Sequence, residues 1–188
     1  MGIWETITID ELLPCYPGGG PVYAHAHHNE LWAMLVEKAY AKVCGSYAAL
    51  KAGWAYEAMI DLTGAPYATY RFEDAETQKM ISDDSLWKLM LANDALSYIQ
   101  SASTPGEDEL TVGGNRKAKS GETGLVAGHA YAVIAVKEIQ GGVKLLQLRN
   151  PWGEGGMEWN GDWSDNSPLW TEELKVGIGG CFVSSLSY

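Results

Sequence analysis

The chain has 188 residues, 46% of them hydrophobic, enough to bury the core of one domain of ordinary size or parts of two. Thirteen Lys and Arg against 24 Asp and Glu leave a formal charge of −11, which excludes nucleic-acid phosphates and anionic membranes as principal partners. No apolar run approaches the roughly 20 residues of a transmembrane segment, and the cysteines Cys15, Cys44 and Cys181 form neither a disulfide framework nor a metal-ligand pattern, so the expected setting is reducing and cytoplasmic.

The first predicted element is a helix. Asn29 can cap it, Leu31, Leu35, Val36, Tyr40 and Val43 recur at helical steps, and Glu37, Lys38 and Lys42 fill the other face before Gly45 ends it. A shorter helix is expected from about Trp54 to Leu62, stopped by Thr63-Gly64 and Pro66. YATYRF, Tyr67 to Phe72, then reads as a strand, and the acidic EDAE run from Glu73 to Glu76 breaks the pattern. Another helix is expected near Ser85 to Asn93, a strand around Ser97 to Ala102, and a polar surface loop from Thr104 to Gly124. The remainder is strand-rich.

Two late stretches carry candidate chemistry: GHAYAVIAV, Gly128 to Val136, and LQLRNPWG, Leu146 to Gly153. If strands 128–138 and 143–149 pair antiparallel about Gln140-Gly141-Gly142, the position opposite His129 lies within a few residues of Asn150. Opposed Cβ atoms stand about 5 Å apart, within reach of a hydrogen bond from an imidazole to an amide oxygen. Such a bond fixes the tautomer, and the second ring nitrogen can then take a proton from a thiol or hydroxyl. On spacing alone, a half-buried histidine bonded to a loop carbonyl is the commoner arrangement.

The surrounding residues add a family resemblance. NELWAMLVEKAYAKVCGSYAAL (Asn29 to Leu50), EAMIDLTG (Glu57 to Gly64), GHAYAV (Gly128 to Val133), LRNPWG (Leu148 to Gly153) and EWNGDWSDNSPLW (Glu158 to Trp170) resemble the protease core of the calpains, and run in that family's order. The resemblance implies an α+β, papain-like fold, with residues 1–66 as the C-terminal part of a helical half and 67–188 as a β-rich half. Matched position by position, it implies that His129 is the catalytic histidine and Asn150 the asparagine that orients it. Trp152 matches the tryptophan that follows. An indole over the His129–Asn150 bond excludes water and strengthens that bond. Gly53 and Gly128 match positions where the backbone pairs with an extended substrate, which requires close approach.

The family's nucleophilic cysteine and oxyanion-hole glutamine have no counterpart in this sequence, and both are expected upstream. Cys15 sits in a Pro-Gly loop, Cys44 at the negative end of a helix and Cys181 in a strand, so none has the helix N-terminus or cationic neighbour of a reactive thiol. The implied function is therefore part of the catalytic core of a calpain-like intracellular cysteine endopeptidase, acting on protein substrates once joined to the upstream segment and inactive without it. A catalytically silent calpain-like module for binding or scaffolding is the alternative, and a calcium-binding regulatory fragment a third. No cofactor is required by the chain itself, with calcium a candidate for the full protein. Of the calcium ligands the resemblance implies, Glu30 matches in the helical half and Glu158 and Asp165 in the β-rich half. Gly179 and Cys181 stand where two further carboxylates are expected, so both sites look incomplete.

Overall fold

The computed structural model describes residues 3–25, 30–106, 124–151 and 159–177. The expected cap Asn29, the loop from 107 to 123, Trp152, Glu158 and Cys181 lie outside the described residues. The chain divides into two compact units, Met1–Tyr67 and Ala68–Tyr188.

In the first unit, helix α1 spans Trp32–Val43 and starts from Leu31 without a side-chain cap. Its buried positions are Met34 and Ala41, seven apart and so on one face. The stripe expected from hydrophobicity is displaced: Leu31, Val36 and Val43 are exposed. The reason lies on the face expected to be solvated, where an extended N-terminal segment is laid down. Lys42 Nζ donates to the Thr8 carbonyl at 2.6 Å, Lys38 Nζ to the Leu12 carbonyl at 2.5 Å, and Glu37 Oε2 accepts from the Ala24 N–H at 3.0 Å. Lys38 also pairs with Asp10 and thereby holds that carboxyl below its usual range. Charged side chains here satisfy backbone groups that have no ladder partner.

A 3₁₀ turn, Tyr47–Leu50, leads to α2, Ala55–Thr63. Tyr40 Oη donates to Asp61 Oδ2 at 3.2 Å, joining the two helices. Burial first, then the bond and charge of Asp61, push this phenol up to about 12. Because the folded value lies above the free one, the contribution is fully present at neutral pH and is lost only as pH rises through the folded value. Gly64 ends α2 in the left-handed region at φ 65°, its N–H bonded to the Ile60 carbonyl at 2.7 Å. A Cβ built there would stand 2.7 Å from Trp4 Cζ2. Gly64→Ala is accordingly expected to destabilise this unit by about 1–2 kcal/mol. An unchanged urea midpoint would contradict the strained cap.

Tyr67 to Phe72 forms no strand. The aromatic residues have a high strand propensity, but Tyr67 stacks on Tyr56 of α2 at 5.0 Å, and propensity yields to such packing. The acidic run that follows does not break structure either. It opens α3, Ala75–Ser82, a helix the sequence reading missed. Asp74 and Glu76 lie at its positive end, where negative charge is stabilising.

Helix α4, Ser85–Ala95, follows at once, with Asp84 at φ 62° between the two. Strand β1 is Gln100–Ser103, later than expected, because Ser97 takes a left-handed conformation and Tyr98 N–H returns to the Asn93 carbonyl to close the helix. Strands β2, Ala130–Ile139, and β3, Val143–Arg149, complete an antiparallel sheet in the order β1-β2-β3. Gly141 and Gly142, at φ 89° and 74°, make the hairpin turn where residues with a Cβ would be strained. Pairing runs Ala132↔Arg149 and Val133↔Leu148, then resumes at Ala135↔Gln147, so Ile134 is a bulge. Helix α4 packs on β2. Trp87 Nε1 donates to Glu138 Oε2 at 3.1 Å, and Lys144 bridges to Asp84 above the Trp87 ring. The core of this unit gathers Leu86, Val126, Tyr131, Val136 and Ile139.

A short helix α5, Glu172–Gly177, comes last, after a loop in which Trp163 packs edge-on against Trp170 at 4.9 Å. Helices with a small antiparallel sheet make the fold α+β. Among the described residues no helix is long and apolar enough to cross a membrane.

Candidate active site

The β1-β2-β3 sheet brings together the two residues the sequence singled out. His129 immediately precedes β2 and Asn150 immediately follows β3. Continuing the register of Ala132↔Arg149 by one residue puts Asn150 opposite Tyr131, and so diagonal to His129 on the same face. The side chains close that gap: His129 Nε2 and Asn150 Oδ1 are 2.8 Å apart. An amide oxygen only accepts, so Nε2 carries the proton, and in the neutral ring Nδ1 carries the lone pair. His129 is 8% exposed, so its bond is made in a poorly hydrated place, where hydrogen bonds are stronger than in water. Tyr131 stands edge-on to the imidazole, with ring centroids 4.9 Å apart and planes at 87°.

The turn entering β2 is held by side chains. Thr104 Oγ1 accepts from the His129 N–H at 3.0 Å, and Tyr131 Oη accepts from the Val126 N–H at 2.9 Å. Neither Thr104 nor Tyr131 was singled out from the sequence, although the two-residue spacing of His129 and Tyr131 in a strand does place them on one face.

A histidine oriented in this way by an amide serves many kinds of protein, and sequence kinship narrows the choice. A profile of the calpain family cysteine proteases matches residues 1–178. The chain belongs to the calpain family. It is similar to the calpain-type cysteine protease DEK1 of Arabidopsis thaliana, at 38% identity over 93% of this chain and 8% of that protein. It is also similar to human calpain-9, at 36% over 89% of this chain and 23% of that one, and to calpain-A of Drosophila melanogaster, at 37% over 95% and 21%. The chain thus spans less than a quarter of the length of each of these relatives.

The other residues matched to calpains are placed as follows. Gly53 belongs to the first unit, and a Cβ there would meet nothing within 4 Å, so the position is open to an approaching chain. Gly128 has φ 61°, and its N–H bonds to the Pro105 carbonyl at 3.1 Å. The turn before His129 therefore requires glycine in its own right. Trp152 and Glu158 lie outside the described residues. Glu30 is exposed, and its Oε2 accepts from Trp32 Nε1 at 3.4 Å, while Asp165 is half-buried in the loop before α5. Among the described residues no three His, Cys, Asp or Glu side chains converge. Cys15 and Cys44 are exposed free thiols, one in a turn bridged to Pro21 and one closing the C-terminal end of α1.

Proposed function

We propose that this calpain-family chain supplies the general base and its orienting amide to a cysteine endopeptidase with a papain-like core. The 2.8 Å bond between His129 and Asn150 carries the reading. With Nε2–H donated to Asn150, Nδ1 is the atom that takes the proton of an attacking thiol and returns it to the departing amine of the peptide. Asn150 holds the ring against rotation and has no proton to move. The thiol is contributed by a cysteine outside these residues, since Cys44 closes a helix at its negative end and Cys15 lies in a turn. Protein segments in extended conformation are the substrates, with Gly53 and Gly128 as backbone partners. The exposed thiols of Cys15 and Cys44 suit a reducing, cytoplasmic setting.

Labelling tests this assignment. In the complete protease core, a thiol-directed epoxide should alkylate the incoming cysteine and should do so far more slowly in His129→Ala. Alkylation that falls instead on Cys15 or Cys44 and stops turnover would overturn it.

Calcium binding by the chain is expected to be weak. A calcium ion takes roughly six to eight oxygen ligands, several of them carboxylates, and the matched set here is Glu30, Glu158 and Asp165, with Gly179 and Cys181 at two positions where acids are expected. Calorimetric titration should show no binding at micromolar calcium. A tight site abolished by Asp165→Ala would refute this.

A further inference from the structure

The entrance to β2 departs from an ordinary strand ladder at the residue that matters most. Beyond the last β1-β2 pair, Ser103↔Ala130, Thr104 faces His129. Thr104 N–H donates to the His129 carbonyl at 2.9 Å, as a ladder requires. The His129 N–H, however, donates to the Thr104 side chain, with Oγ1 at 3.0 Å. The single hydroxyl proton of Thr104 then points to the Val126 carbonyl at 2.5 Å, a closer acceptor than the His129 carbonyl at 3.2 Å. One hydroxyl therefore ties the start of the histidine strand to the turn before it.

A second hydroxyl completes the tie. Val126 is 1% exposed, so its backbone groups need partners inside the protein. Its carbonyl accepts from Thr104 and its N–H donates to Tyr131 Oη at 2.9 Å. Tyr131 is itself buried, and its ring packs edge-on against the imidazole. The His129 backbone is thus fixed by Thr104, one side of its ring by Tyr131, and Nε2 by Asn150.

We propose that Thr104 and Tyr131 are positioning residues for His129, their hydroxyls clamping the 126–131 backbone so that the imidazole stays seated on Asn150. This rests on the reading of His129 and Asn150 as base and orienting amide. Neither hydroxyl touches a reacting atom. Their effect passes through the backbone, because a displaced His129 Cα lengthens a ring hydrogen bond that tolerates only a few tenths of an ångström.

Nuclear magnetic resonance of the chain, with isotope-labelled histidine, gives a direct readout: solvent exchange of the His129 Nε2 proton, assigned by its loss in His129→Gln. Thr104→Val and Tyr131→Phe keep shape and remove only the oxygen. Each is expected to speed that exchange roughly tenfold, while the amides of Leu145 and Gln147, which share the ladder-facing parity of Arg149 in β3 and so report opening of the whole hairpin, keep their rates. Thr104→Ser, which retains the hydroxyl, should stay within about threefold of the parent. Ring exchange unchanged in Thr104→Val and Tyr131→Phe would overturn the clamp. So would ring and hairpin amides accelerating together, because the hydroxyls would then only stabilise the hairpin. Should Thr104→Val fail to fold, Tyr131→Phe and Thr104→Ser decide by the same criteria. Asn150→Ala is the separate arm for the underlying reading. If removing the amide leaves the Nε2 proton as protected as before, the His129–Asn150 assignment falls, whereas silence in the hydroxyl variants alone sinks only the clamp.

Discussion

In a complete protease core containing this chain, His129→Ala should lower kcat by about 10⁴- to 10⁶-fold, the loss expected when a member of a nucleophile–base unit is removed. On the proposed reading the residue moves the proton in both halves of the reaction. Asn150→Ala should cost far less, roughly 10- to 100-fold, because the imidazole survives and loses only its orientation. Fluorogenic-peptide hydrolysis measures both variants. The order of the two effects is the discriminating result: an Asn150 variant worse than the His129 variant, or a His129 variant keeping most of its activity, would show that the base lies elsewhere.

The second large effect concerns the chain by itself, which is expected to hydrolyse no peptide. Loss of a catalytic nucleophile typically costs about 10⁶ in rate. The two described cysteines are an exposed turn residue and the C-terminal cap of α1. Casein or a fluorogenic peptide, with calcium present, is the appropriate substrate. Turnover that a thiol-directed epoxide abolishes would mean that one of the chain's own thiols does reach Nδ1 of His129.

The His129–Asn150 pair was legible in the sequence because a hairpin is a local object. Its turn is announced by Gly141-Gly142, its strands alternate, and the register follows from the turn, so two residues 21 apart can be placed together without knowledge of the rest. The helices α1, α2 and α4 were legible for a similar reason, since helical periodicity and a stop signal such as Gly64 are local. What failed depended on distant segments. The exposed face of α1 could not be located without knowing that residues 8–24 lie across Lys38, Lys42 and Glu37. Tyr67 to Phe72 has strand composition, and only the stacking on Tyr56 shows why it is spent otherwise. Helix α3 was hidden by a rule of thumb, since an acidic cluster disrupts a helix interior but suits its first turn. The hydroxyls of Thr104 and Tyr131 were invisible because each bonds to main chain, which carries no sequence signature of its own.

The bulge at Ile134 has a consequence for how this strand can vary. Tyr131 and Val136 are separated by an odd number of steps, so in an unbroken strand they would point to opposite sides of the sheet, yet both are buried, at 5% and 1% exposure. The extra residue restores their parity. Deleting Ile134 would leave them four steps apart, an even number that a regular ladder satisfies, with Val133 still opposite Leu148 and Ala135 opposite Gln147, so the strand could keep both Val136 in the core and His129 on Asn150. The strand therefore tolerates the loss of one residue between His129 and Val136, whereas the gain of one sets its two ends on opposite faces unless it too is bulged out. A chain lengthened there by a single residue could keep its core and far-ultraviolet spectrum while His129 is turned away from Asn150.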